Sequence, residues 1–188
     1  MRTALALPLL AAAVLVLSGC APSDHTLLPA PTGTPTETPV TDEATPPSDP
    51  VNESVGLNCQ QLLNDQAVYD WGSGNFAYDS SYSPAAGSTA AAAVAIGGLA
   101  CRWINLTSSE TVDFAVSIPA STDAARAAAA AAGAPAPELA PDAYFWSDGT
   151  TGHLDIFSGK YWITAESGWF LTPGDAAPLA TAALSALG

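Results

Sequence analysis

The C-terminal part of this 188-residue chain holds few side chains that could do acid–base or nucleophilic chemistry. His153 is one of two histidines, and Asp155, two residues further along a predicted strand, lies on the same strand face. A serine such as Ser147 or Ser167 could complete a triad with this pair. The simpler interpretation is a hydrogen-bonded surface histidine beside an acid, so we assign no catalytic residue.

The short motifs of well-characterised enzymes are missing from the sequence. It contains no Gly-x-Ser-x-Gly elbow, no His-Glu-x-x-His zinc motif, no phosphate-binding glycine loop and no EF-hand spacing. The second histidine, His25, lies in a proline-rich region and is interpreted as solvated. We therefore expect no cofactor and no metal, and a cell-wall-acting hydrolase of unrecognised type stays open only as the alternative function.

Cys20 offers a different chemistry, because it follows a Leu-Ser-Gly triplet (residues 17–19) at the end of an apolar run preceded by Arg2. This pattern resembles the lipobox of bacterial lipoproteins, in which the cysteine thiol receives a diacylglyceryl group and the preceding peptide bond is cut. The apolar run is shorter than the roughly 18 to 20 residues of a transmembrane helix. We predict a signal peptide over residues 1–19. We also predict that the mature protein is anchored to the membrane through the lipid on Cys20.

The composition after Cys20 predicts a tether and one folded domain on the outer face of the cell membrane. Residues 20–54 are rich in Pro, Thr, Ser and acid, and they cannot bury enough apolar surface to fold, which indicates a disordered tether. Residues 55–188 then form a single domain. The chain from Cys20 carries 3 Lys+Arg and 18 Asp+Glu, a net charge of 3 minus 18, or -15. This charge excludes nucleic-acid binding and permits a basic envelope protein as a partner.

Two cysteines remain, Cys59 and Cys101, and in an exported chain they predict one disulfide. A reactive thiol or a metal pair is the alternative, although no third or fourth ligand lies nearby in the sequence.

Capping signals and residue alternation predict an α+β fold, an antiparallel sheet made of a hairpin and a C-terminal meander, covered by helices. Residues 69–84, a mixture of turn residues and aromatics, are predicted to form a loop. The hairpin should have one buried face and one wetter face. The predicted helix N-caps are Asn58, Ser88, Ser121 and Asp175, and Asn58 should form a capping box with Gln61. The predicted strands are 101–106, 112–118, 143–147, 153–157 and 161–166.

Three local features carry a resemblance to a known group of proteins: the capped helix at Asn58-Cys59, the Gly97-Gly98 turn, and Cys101-Arg102-Trp103 opening a hairpin. Together with the lipobox, they resemble small actinobacterial secreted lipoproteins that carry a domain of unknown function. The resemblance covers the anchor, the tether and roughly residues 57–118. Several such domains, and the extracytoplasmic sensor domains of some actinobacterial kinases, are similar in layout to the PsbP-like α/β/α sandwich. This resemblance implies a ligand-binding or accessory envelope module and offers no family catalytic residues to carry over to this chain.

Aromatic residues concentrate in the meander, where 8 of the 15 in the chain lie between residues 144 and 170. Alternation places rings on both faces of these strands, so one set fills the core and the other could bind a sugar, a peptide or a small apolar ligand. Alternatively, both sets lie under helices. The candidate ligand-binding residues are Trp71, Trp146, Trp162, Tyr144 and Tyr161.

The lipobox pattern predicts that Cys20→Ala moves the protein out of the membrane fraction, because the lipid is the expected anchor. Fractionation of cells that express the variant measures this, with a conservative tether substitution such as Thr32→Ser as the control. A Cys20→Ala protein that is processed and membrane-bound like the wild type would disprove the anchor.

Overall fold

A single antiparallel sheet of seven strands organises residues 51–188, the part of the chain that this computed structural model describes. The predicted signal peptide, Cys20, His25 and most of the tether lie outside the described residues. The strands are β1 (Phe76–Tyr78), β2 (Leu99–Asn105), β3 (Thr111–Ser117), β4 (Ala134–Pro135), β5 (Ala143–Ser147), β6 (Gly152–Ser158) and β7 (Tyr161–Ser167). Their order across the sheet is β1-β2-β3-β7-β6-β5-β4.

Helices pack on both faces of the sheet, and the predicted α+β class is confirmed. They are α1 (Cys59–Leu62), α2 (Asp65–Gly72), α3 (Thr89–Ala95), α4 (Asp123–Ala132) and α5 (Pro173–Leu187). The first two pack with α5 on one face, whereas α3 contacts β2 and β3 and α4 contacts β5 and β6 on the other. No helix within residues 51–188 combines the length and apolarity needed to cross a bilayer.

The main core lies on the face that α1, α2 and α5 cover, which we call the core face. Along β3 it receives Val112, Phe114 and Val116, all fully buried, and the partner strands add Trp103 and Ile163 opposite them. Such burial of large apolar side chains contributes about 1.5 to 3 kcal/mol per residue. The other side of the sheet is the second face.

The predicted wetter face of the β2–β3 hairpin is wrong for β3. Asp113, Ala115 and Ser117 point away from the core face, yet each exposes no more than 4% of its surface. The reason is topological, because β3 is an interior strand between β2 and β7, and α3 covers its second face. Gly98 allows this close packing, since a Cβ atom there would lie 2.6 Å from the carbonyl oxygen of Ala93 in α3 and 2.4 Å from that of Val116 in β3.

The loop predicted over residues 69–84 is wrong for residues 69–72, which end α2, and for residues 76–78, which form β1, whereas the remainder lies in turns and irregular structure. Asn64 starts α2, its side chain accepting a hydrogen bond from the Ala67 amide at 2.9 Å. Ser73, in the left-handed conformation, ends it. Asn64 is a cap signal, but the Tyr-Asp-Trp-Gly sequence that follows has low helix propensity, and packing against α5 decides the outcome.

The N-termini of three further helices compare as follows with the predicted ones. The Asn58–Gln61 capping box is confirmed, with both bonds at 2.9 Å. The closing helix begins earlier than predicted: Thr172 is its N-cap, and the Asp175 carboxylate accepts a bond from the Thr172 amide at 2.7 Å. Pro178 therefore lies inside α5 and not in its first turn. Similarly, Thr122, rather than Ser121, is the N-cap of α4.

The predicted disulfide between Cys59 and Cys101 is confirmed, with the two sulfur atoms 2.1 Å apart. It links α1 to β2 and lies within the buried core, with both cysteines at most 6% exposed.

We predict that Cys59→Ser lowers the free energy of unfolding by about 3 to 4 kcal/mol, because the bond restricts the unfolded chain across a long loop. Urea unfolding of oxidised wild type, reduced wild type and the variant measures the loss. Ser54→Ala, a nearby change that leaves the disulfide intact, is the control. Equal stability of the oxidised and reduced wild-type proteins would contradict the prediction.

Candidate ligand-binding face

The second face carries a row of five polar and aromatic side chains in register across five neighbouring strands. Arg102 on β2 pairs with Asp113 on β3, which pairs with Glu166 on β7, and this continues through His153 on β6 to Trp146 on β5. Residues opposite each other in antiparallel strands have Cβ atoms about 4.5 to 5.5 Å apart. We call these five residues the polar row.

Contacts within the polar row hold it together at both ends. The Arg102 Nε atom donates to the Asp113 carboxylate at 2.7 Å, and a second guanidinium nitrogen bonds the other oxygen. The His153 Nδ1 atom lies 3.4 Å from a Glu166 oxygen. The Trp146 ring stacks on the His153 ring, with centroids 3.8 Å apart and planes within 7°.

This order of charges offsets an unfavourable pair in the middle of the row. Asp113 and Glu166 are like charges on directly opposed residues, which destabilises a sheet. The Arg102 cation compensates the buried Asp113, whereas the Glu166 side chain is half exposed to solvent and contacts His153. The Arg102 guanidinium also lies 4.1 Å above the Tyr82 ring, and burial, together with the Asp113 charge, raises the pKa of Tyr82 to about 12.

A groove of about 230 Å³ lies beside the row, between α3 and α4. Trp146, Asp155 and Trp162 line it from the sheet, and Thr89 lines it from α3. On the other side, α4 contributes only alanines, whose small side chains leave space above the strands. This volume, just below the usual 300 to 1,000 Å³ of ligand pockets, fits a small ligand.

Asp155 is the charged group of this groove. The Trp162 indole N–H donates to its carboxylate at 2.8 Å. Burial raises the pKa of Asp155 above its ordinary value of 3.8, and the hydrogen bond from Trp162 acts in the opposite direction. The groove therefore places a poorly solvated carboxylate between two indole rings, where a ligand could replace the missing solvation.

The structure divides the ligand-binding residues predicted from the sequence between the two faces. Trp146, Trp162 and Tyr144 lie on the second face. Tyr161 lies on the same strand face as Ile163, the core face, and it packs against the border of the core as a partly buried side chain. Trp71 packs on the core face 5.8 Å from the Phe170 ring, and its indole N–H donates to the Asp175 carbonyl at 2.8 Å. Trp71 and Trp146 therefore do not share one surface. Residues 65–72 form a helix that packs against α5 on the core face, whereas Trp146 lies on the second face.

The histidine considered for a triad has other contacts. His153 and Asp155 share the second face, as predicted, but His153 contacts Glu166, and Asp155 bonds Trp162. Ser147 and Ser167 have the alternation of the core-facing residues Phe145 and Ala165, so they point away from His153, and they donate to the backbone oxygens of Thr151 and Thr111. These two serines therefore form no triad with His153.

Sequence reasoning missed Arg102, Asp113 and Glu166 as members of one site. The first two could have been found from the predicted hairpin, whose register makes them neighbours. Glu166 faces His153 in the β6–β7 hairpin, but its place beside Asp113 could not have been found, because it depends on pairing between β3 and β7, strands that are far apart in the chain.

Comparisons with protein-family models, curated proteins and solved structures give no match to this chain. Residues 51–188 hold no group of three or more His, Cys, Asp or Glu side chains arranged to bind a metal ion.

We predict that Asp155→Asn raises the melting temperature at neutral pH. A pKa raised by folding means that the ionised carboxylate destabilises the folded state, so stability falls as the pH rises through this pKa. The amide oxygen can still accept the Trp162 hydrogen bond. The difference between the variant and the wild type should disappear below the unfolded pKa of about 3.8.

Asp148→Asn is the matched control of opposite sign. Hydrogen bonds from Thr150 and Thr151 lower the pKa of Asp148 to about 2, so its ionised form stabilises the fold above pH 3.8, and this contribution is lost as the pH falls through 2. Differential scanning calorimetry between pH 2 and pH 8 measures both. A destabilised Asp155→Asn at pH 7 would contradict the burial argument.

Proposed function

We propose that this chain is a lipoprotein anchored by Cys20 to the outer face of the cell membrane, with a domain that acts as a non-enzymatic ligand-binding module. The anchor rests on the lipobox pattern, and the binding role rests on the groove beside the polar row. The resemblance to small actinobacterial lipoproteins and to PsbP-like sensor domains belongs to this proposal and agrees with its non-catalytic character.

The observation that carries the binding role is the pair of indole rings on either side of the Asp155 carboxylate. Trp146 and Trp162 are only partly buried, so each ring keeps surface for a ligand. Indole faces stack on apolar ring surfaces, and a carboxylate accepts hydrogen bonds from hydroxyl groups. A small ligand with both properties, above all a sugar ring, fits this chemistry best.

Charge narrows the ligand class further. The domain is strongly acidic, and the charged group that lines the groove is a carboxylate. Phosphorylated and other polyanionic ligands are therefore disfavoured by Coulomb repulsion in a site of reduced dielectric. A neutral sugar meets no such repulsion.

The hydrolase alternative would need a nucleophile or acid–base pair other than the triad considered from the sequence. The His153–Glu166 contact is the pair that could transfer a proton on this face. Formation of new reducing ends during a binding experiment would favour this alternative.

We expect N-acetylglucosamine or its β-1,4-linked tetramer to change the tryptophan fluorescence of the full chain carrying Cys20→Ala, because the ligand would cover Trp146 and Trp162. Glycerol, which has hydroxyl groups but no ring face, should not. Each of Trp146→Ala and Trp162→Ala should weaken binding at least about tenfold, which corresponds to about 1.4 kcal/mol.

Stability measurements distinguish tryptophans that line the groove from a tryptophan that fills the core. Trp103→Ala should lower the free energy of unfolding by about 3 to 5 kcal/mol, because its ring is fully buried. The Trp146 and Trp162 variants should lose much less. The binding role is wrong if both variants unfold as easily as Trp103→Ala, or if no sugar changes the fluorescence.

A further inference from the structure

The strand β1 forms one edge of the sheet and has unpaired backbone groups along it. The Leu106 amide donates to the Asn75 carbonyl and the Asp79 amide to the Arg102 carbonyl, both at 2.8 Å. Since hydrogen-bonded residues alternate along an antiparallel strand, Phe76 and Tyr78 direct their N–H and C=O groups away from β2. Such an edge can accept another strand.

A groove of about 410 Å³ runs beside this edge, between β1 and α2. Phe76, Tyr78 and Tyr69 line it, and Tyr69 exposes 60% of its surface. Val68 and Trp103 belong to its lining and are almost fully buried. An open strand edge next to a groove lined by aromatic side chains has the two features of peptide binding by strand addition: backbone hydrogen bonds for affinity and a pocket for side chains.

Trp103 adds an independent observation. Its indole Nε1 is buried, and within residues 51–188 it has no hydrogen-bond partner. A buried donor without an acceptor costs about 1 to 3 kcal/mol. A carbonyl oxygen that reached the indole N–H from the groove would remove this cost.

The charges around the groove favour a basic occupant. Asp65 is the charged group of its lining. The cations of the described part of the chain are engaged elsewhere, each with its own carboxylate: Arg102 with Asp113, Arg126 with Asp142, and Lys160 with Glu53. A second copy of this acidic chain would meet repulsion at the same place.

We propose that an extended peptide segment with basic side chains binds along β1 as an eighth strand of the sheet. Its backbone pairs with Phe76 and Tyr78, alternate apolar side chains enter the groove between Tyr69 and Tyr78, and a basic side chain lies near Asp65. This site is at the sheet edge and is separate from the sugar-binding groove of the second face, so either proposal can fail without the other.

The probe is an acetylated octapeptide, Val-Thr-Lys-Thr-Val-Thr-Lys-Thr, in which valine and lysine share the strand face that meets the groove, titrated into the full chain carrying Cys20→Ala and followed by amide NMR. We expect shifts at β1 and α2, and at least tenfold slower hydrogen exchange of the Phe76 and Tyr78 amides. The same peptide with glutamate in place of lysine should not bind. Shifts spread over the acidic surface, without protection of these two amides, would overturn the proposal.

Tyr78→Pro provides the sharpest variant, because it removes one N–H that points outward and leaves the β1–β2 hydrogen bonds intact. Tyr78→Val is the matched control, since it also removes the ring but keeps the N–H. We expect the proline variant to bind the lysine–valine peptide at least tenfold more weakly than the valine variant. Equal binding, with both variants folded by the NMR spectrum, would overturn strand addition.

Discussion

The pairing of β3 with β7 is the interaction on which the rest of the domain depends. It joins the hairpin of residues 99–117 to the meander of residues 143–167, and it sets Phe114 opposite Ala165 and Asp113 opposite Glu166. Because side chains alternate strictly along a strand, a shift of one residue would turn Asp113 into the core and Phe114 out of it. The core and the polar row are thus two results of one register, and a ligand site on the second face inherits the rigidity of the core.

The same register explains how the sheet tolerates a buried charge in the polar row. An interior strand such as β3 would ordinarily be apolar on both faces once a helix covers it, yet Asp113 is 4% exposed. Its carboxylate is tolerated because Arg102 binds both of its oxygens. Removal of one partner from such a pair leaves a buried charge without compensation, a change that typically costs about 3 to 5 kcal/mol. The row therefore positions Trp146 through its contact with His153, but the loss of a single charged partner would destabilise the fold. An apolar row would not carry this cost.

Local signals in the sequence were sufficient for most of the elements, and tertiary contacts decided the remainder. The alternation from Val112 to Ile118 and the turn at Asp148-Gly149 predicted the hairpin and the meander within one or two residues of their ends. Helix α2 could not be predicted in this way, because residues 69–72 favour a turn until α5 packs on them. The site was only half predictable for a similar reason: alternation places Trp146 and Trp162 on faces of their strands, but nothing local tells which face meets the larger core.

The first described residues of the domain are held beside the end of β3. Glu53 forms a bridge with Ile118, just beyond the end of β3, and its carboxylate bonds the Lys160 side chain. The polar row crosses β3 at Asp113, five residues away and therefore about 17 Å along the strand at 3.4 Å per residue. The β1 edge lies two strands from β3, at the border of the sheet. Trp162, however, pairs with Ser117, the residue before Ile118, so the described residues at the start of the domain bridge the sheet nearer to the groove beside the polar row than to the open edge of β1.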